Sequence, residues 1–161
     1  MRKIILIIFS FIVWLGLTWT LEWQNLVVGG VVAITVGLIF GNLFVNEPAK
    51  VFQFSRWLWF VMYIPVFFWE MVKSNFDVAY RVLHPKMPIS PGIVKVRTNL
   101  QSEMGKVFLA NSITLTPGTF TIDLKDEFLY IHWINVRYKD IDKATQNIVS
   151  KFEKYLIKIF D

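Results

Sequence analysis

The 161-residue chain has no cysteine. Disulfides, thiolate metal sites and thiol redox chemistry are therefore excluded. Histidine is almost missing as well: His84 and His132 are the two present, and a metal centre needs several converging ligands. His84 precedes a proline and His132 alternates within a strand-like run, so both read as structural. No glycine-rich loop is available to cradle a phosphate. Ser112, in Asn111-Ser-Ile-Thr, lacks the Gly-x-Ser-x-Gly turn of a nucleophile elbow. The net charge is +5, but the Lys and Arg are dispersed and no basic stripe interleaves with aromatics, so no nucleic-acid partner is expected. These absences argue against an independent enzyme and leave no cofactor or metal to expect.

Charge is also missing from one end. Between Lys3 and Glu47 the sole charged side chain is Glu22. Two apolar runs, Ile4 to Leu21 and Leu26 to Val45, flank Glu22-Trp-Gln-Asn25. A run of roughly 20 apolar residues matches the hydrocarbon thickness of a bilayer, and so short a connection forces an antiparallel helical hairpin. Arg2-Lys3 before an apolar run also resembles a secretory signal. The stretch near residue 20 is bulky rather than small-x-small, and a second apolar run follows, so an uncleaved first span is expected. Trp14, Trp19 and Trp23 approach the loop and suit an interfacial anchor. Gly37 and Gly41 lie on one helical face, where they either admit another helix closely or reflect the frequency of glycine in membrane helices. Pro48, in Asn46-Glu-Pro-Ala-Lys50, ends the second helix.

Mean hydropathy is +0.48 and 55% of residues are hydrophobic. That is too apolar for an ordinary soluble domain and too charged for an all-membrane one. Phe54 to Leu83 reads as a long amphipathic helix. Arg56, Tyr63, Glu70 and Asp77 recur every seven residues and draw a narrow polar stripe along it. The helix can lie in the headgroup plane with its tryptophans and phenylalanines toward the acyl chains. Alternatively it is a third span, with Pro65 as a tolerated kink. Arg2-Lys3, Lys50 and Arg56 favour the cytoplasmic side, and with two spans the basic C-terminal part stays there.

His84-Pro-Lys-Met-Pro-Ile-Ser-Pro-Gly92 is a proline-punctuated linker. Beyond it, Ile93 to Thr98 alternates like a strand and Gln101 to Leu115 is helical. Thr116-Pro-Gly is a turn. Thr119 to Leu124 and Phe128 to Val136 form a hairpin, and Asp140 to Phe160 closes as an amphipathic helix capped by Asp140 or Asp142. The expected fold is a membrane α-helical hairpin plus a long amphipathic helix, followed by a small α+β (β-α-β-β-α) cytoplasmic domain. The divisions are 1–50, 51–83, a linker at 84–92, and 93–161. A core of roughly 70 residues is marginal, so docking on a membrane or partner would help hold it.

Two features carry candidate function. Glu70 either contributes to proton or cation transfer from a bundle interior or sits solvated at the headgroup boundary beside Lys73. Leu109 to Thr121 carries four threonines and a serine around a Pro-Gly turn. Its hydroxyls either satisfy local backbone groups or make a docking loop.

Asn111-Ser-Ile-Thr-Leu-Thr-Pro-Gly-Thr119, with Asp123 and Leu129-Tyr-Ile-His, resembles the E subunit of the multisubunit monovalent cation/proton antiporters, the Mrp or Mnh family. Glu70-Met-Val-Lys-Ser-Asn-Phe-Asp-Val-Ala-Tyr-Arg-Val-Leu83 is similar to that family's signature after its apolar region, with Tyr80 a minor departure. The resemblance covers essentially the whole chain. It implies a multi-pass accessory subunit of a cell-membrane complex exchanging Na+ (or K+ or Li+) for H+, with the ion-conducting residues mainly in larger subunits. Its partners would be those membrane subunits and the lipid bilayer. Gly37, Gly41, Asn75, Asp77, Asn111, Ser112, Thr114, Thr116, Pro117 and Gly118 are then expected to pack against partners. The competing reading is a stand-alone membrane-anchored module that senses a ligand.

Overall fold

A computed structural model describes residues 2–44 and 53–161, which form two compact units, Met1–Gln53 and Phe54–Asp161. The break expected at Pro48 lies outside the described residues.

The first unit is a helical hairpin of α1 (Arg2–Thr18) and α2 (Trp23–Phe44). Its turn falls at residues 19–22, about three positions before the expected one. Trp19 takes φ 52° there, a left-handed conformation that ends α1 because a right-handed helix cannot continue through it. Asn25 knots the turn: its Nδ2 donates to Thr18 Oγ1 at 2.8 Å and to Thr20 O at 3.2 Å, while its carbonyl accepts from Trp14 Nε1 at 3.2 Å. Below it the helices run antiparallel and close. A Cβ on Gly29 would come within 2.3 Å of Trp14, one on Gly37 within 2.2 Å of Ile7, and one on Gly41 within 2.8 Å of Lys3 Cα. Glycine is required at these three crossings. The outward faces stay apolar, with Ile4, Ile8 and Ile12 of α1 and Val27, Val31 and Leu38 of α2 exposed. Among the described helices, α2 is long and apolar enough to cross a bilayer (Trp23–Gly41), while the apolar stretch of α1, Lys3–Thr18, is shorter.

The second unit holds α3 (Phe54–Leu83), β1 (Gly92–Arg97), α4 (Glu103–Leu115), β2 (Thr119–Lys125), β3 (Phe128–Trp133), α5 (Ile141–Ile148) and α6 (Ser150–Phe160). The strands form an antiparallel sheet in the order β1-β3-β2. Period-two alternation sends Val94, Val96, Leu129, Ile131 and Trp133 inward. They meet Leu109 and Ile113 of α4 and Phe152 and Leu156 of α6 in one core, each large side chain contributing about 1.5–3 kcal/mol by burial. Ser102 caps α4, its Oγ accepting from Gly105 N at 3.0 Å, and Asp140 caps α5, accepting from Lys143 N at 3.0 Å.

Two boundaries differ from the sequence reading. β3 ends at Trp133, because Ile134 and Val136 turn their N–H groups to Gly118 O and Ser90 O instead of a neighbouring strand. The closing helix is two helices meeting at Val149, where Phe152 N donates to Val149 O and tightens a turn. Stretch 84–92 connects elements within this unit, since Tyr63 and Phe67 of α3 pack against Phe152 and α3 shares the core of the sheet module.

Candidate functional site

The seven-residue stripe of α3 is the organising feature of the second unit, and it points inward. Arg56 Nη1 donates to Ile159 O at 2.6 Å. One heptad on, the Tyr63 hydroxyl is hydrogen-bonded to Ser112 Oγ of α4. One further, Glu70 Oε2 accepts from Lys151 Nζ of α6 at 2.8 Å, with Lys73 Nζ more distant at 3.8 Å from Oε1. At the fourth step Asp77 meets Arg137 at 3.2 Å. Each polar side chain finds its partner on the module, because residues seven apart recur on one face of a helix.

Glu70 does lie beside Lys73, but it is not solvated as expected. Its side chain is 15% exposed and its shorter ion pair is with a residue 81 positions away. Such a carboxylate is held by a fixed counter-charge between α3 and α6.

At the C-terminal end of α3, Arg81 is buried, with 8% of its surface exposed. Its Nε and Nη2 grip Asp77 bidentately at 2.9 and 3.0 Å, and its Nη1 donates to Pro88 O at 2.6 Å. The Asn135 amide lies 3.1 and 3.2 Å from Nη1 and Nη2, with its oxygen turned toward them as acceptor. Helix, connection and the segment after β3 are joined at one guanidinium, whose planar fork suits several acceptors at once. Hydrogen bonding from Arg81, with the added charges of Arg81 and Arg137, holds the Asp77 carboxyl below the usual aspartate range.

The hydroxyl-rich segment also closes on itself. Ser112 Oγ donates to Phe108 O at 2.6 Å, Thr116 Oγ1 to Ser112 O at 2.8 Å, and Thr119 Oγ1 to Ile113 O at 2.7 Å. Thr114 Oγ1 accepts from Thr121 N at 3.2 Å. The Thr116 and Thr119 bonds cover the Ser112 and Ile113 carbonyls in the last turn of α4. Gly118 follows at φ +90°, where a side chain would be strained and a Cβ would come within 3.0 Å of Ile134. Of the residues expected at partner surfaces, Ser112 and Thr116 are buried in this unit, and Thr114, Pro117 and Gly118 are half-buried. Asn75 and Asn111 are exposed, and Asn75 donates to Met71 O at 2.9 Å. Gly37 and Gly41 receive α1 of their own hairpin.

Sequence reasoning did not single out Glu153. It is 7% exposed and accepts from Thr98 Oγ1 at 2.5 Å, Asn99 N at 2.6 Å and Asn99 Nδ2 at 3.2 Å. Its partners lie 54 and 55 residues away, beyond the reach of any local pattern. Among the described residues no group of His, Asp and Glu gathers to hold a metal. The arrangement fastens elements of the unit together.

Known proteins resemble this chain over most of its length. A family model described as Na+/H+ ion antiporter subunit matches residues 7–159. The E subunit of the Na+/H+ antiporter of Alkalihalophilus pseudofirmus is 34% identical, with 92% of this chain and 91% of that protein covered. The E1 subunit of the Staphylococcus haemolyticus antiporter is 33% identical over 95% and 96%. A chain in the solved structure of the membrane-bound sulfane sulfur reductase, an archaeal respiratory membrane complex, is 43% identical, with TM-score 0.81 and 99% of both chains covered.

Proposed function

The chain belongs to the Na+/H+ ion antiporter subunit family, and from that premise we propose that it is an accessory membrane subunit, seated beside larger subunits that carry the ions. The observation that carries the accessory role is the engagement of Glu70 by Lys151 at 2.8 Å. The carboxylate best placed by sequence to move ions is bound into the fold. The apolar outward faces of α1 and α2 support a hairpin in lipid, against neighbouring transmembrane helices. The Lys and Arg beside the apolar runs support a cytoplasmic C-terminal part.

The likeness to a chain of an archaeal respiratory membrane complex, at 43% identity, exceeds that to the two antiporter relatives, at 34% and 33%. It favours a second setting for the same role, in which the host assembly is a respiratory membrane complex. A stand-alone ligand sensor has less support, because relatives named as antiporter subunits match over nine-tenths of their length.

The test is co-purification. A tagged chain extracted in mild detergent is expected to bring other membrane subunits with it, and recovery of the chain alone would overturn the proposal. Redox proteins among the co-purified subunits would favour the respiratory setting. A cysteine replacing Lys125 should be reached by a membrane-impermeant reagent only after the membrane is opened, and labelling of intact cells would refute the orientation.

A further inference from the structure

α3 turns its polar stripe toward the module, so its opposite face is left without a partner in the second unit. That face is apolar and strongly exposed: Phe54 at 82%, Phe68 at 56%, Trp69 at 68% and Phe76 at 73%. Val61 and Val72 lie between them and are also exposed. No charged side chain interrupts the face. Lys73 and Tyr80 stand at its border, the lysine side chain 69% exposed. Tryptophan and phenylalanine with a bordering cation is the composition of a helix at the headgroup–acyl boundary.

The direction of α3 relative to the bilayer follows from what it carries. The stripe runs from Arg56 to Asp77, about 32 Å of helix at 1.5 Å per residue, close to the ~30 Å of a hydrocarbon core. The module is fastened along that whole length, through Ile159 at one end and Arg137 at the other. Were α3 to cross the membrane, α6 would cross with it. Lys154 and Lys158, exposed on α6 between the contacts of Lys151 and Ile159, would then lie in or at the edge of hydrocarbon, at up to roughly 3 kcal/mol for the deeper Lys154. Laying α3 flat removes that cost and buries the aromatic face.

We infer that the second unit is itself a membrane-surface module. It rests on the acyl boundary of an anionic leaflet through the face of α3 that holds Phe54, Val61, Phe68, Trp69, Val72 and Phe76. The occupant of this face is lipid. The inference rests on the chain being membrane-seated, as proposed above, and not on which subunits surround it.

The cysteine-free chain allows a direct test. Full-length chain with a single cysteine replacing Val61, Phe68, Val72 or Phe76, all exposed positions, is labelled with an environment-sensitive fluorophore. It is then reconstituted in phosphatidylcholine vesicles containing a quarter phosphatidylglycerol. Lipids carrying a quencher near the headgroup should remove about half of the emission at all four positions, and lipids with the quencher at the chain end much less. A label replacing exposed Lys158 should be quenched by neither. Depth greatest at 68, with strong quenching there by the chain-end quencher and shallower positions at 61 and 76, would overturn the inference in favour of a span. Labels shielded from water but untouched by either lipid would overturn it in favour of a protein partner. Both overturning results are compatible with successful co-purification, so failure here is distinguishable from failure of the antiporter-subunit reading.

Discussion

Arg81 brings a full positive charge into the interior of the second unit, and Asp77 is its one carboxylate contact among the described residues. Asp77→Asn keeps the size of the side chain and removes the charge-assisted pair. Because the Asp77 side chain is 40% exposed, water offsets part of the loss, and we expect destabilisation of about 1–2 kcal/mol. This would be read as a lower thermal midpoint of the detergent-solubilised chain. The same pair sets an acid limit. A carboxyl held below its ordinary value contributes stability that is present above about pH 4 and is lost as pH falls through the lowered folded value. Wild-type stability should therefore decline below about pH 4, and the Asn variant should show a shallower decline. An unchanged acid limb in the variant would contradict this.

Among elements, α2 gives the sharpest contrast. Gly41→Ala places a Cβ against the backbone of Lys3, which cannot step aside as a flexible side-chain end would, while Gly30 has nothing within 4 Å. Gly41→Ala is expected to cost about 1–3 kcal/mol and to loosen the hairpin. Gly30→Ala should be neutral or slightly stabilising, since alanine loses less backbone freedom in a helix. Cysteine pairs placed across α1 and α2 would report the difference as a drop in crosslinking for the Gly41 variant alone. At this scale much is legible in the residues themselves. The alternation of Ile93 to Arg97, the Pro-Gly turn, the Asp140 cap and the heptad of α3 all appear where local periodicity predicts. What periodicity cannot supply is direction. A stripe every seven residues defines a face, but only contacts with residues 49 to 103 positions away show that it turns toward protein. The hairpin turn is displaced for a related reason. Asn25 reads as a loop residue by its position between the apolar runs, yet it bonds back to Thr18 from inside α2.

For the whole molecule, Glu70 separates a structural from a transporting role. Glu70→Lys sets two ammonium groups against each other and should cost about 1–2 kcal/mol and lower the yield of assembled complex. Glu70→Lys combined with Lys151→Glu rebuilds the pair with its charges exchanged. If Glu70 serves docking, the double variant should recover assembly and Na+-driven proton exchange together. Recovery of assembly with exchange still lost would instead assign Glu70 to the ion path. The candidate site is legible in part for the same reason as the fold. Glu70 and Asp77 stand out as carboxylates at the end of an apolar run, whereas Glu153 and the burial of Arg81 emerge only once distant segments meet.

Those long separations also impose an order of events. The hairpin closes through contacts such as Trp14 with Asn25, only 11 residues apart, and can form as soon as it leaves the ribosome. α3 must wait, since the carbonyl that receives Arg56 is synthesised 103 residues later and the lysine that receives Glu70 81 residues later. Until then its stripe lacks those partners, and on the proposal made above its aromatic face is already available to the bilayer. The nascent helix would thus be held at the surface as a template, onto which the rest of the unit condenses.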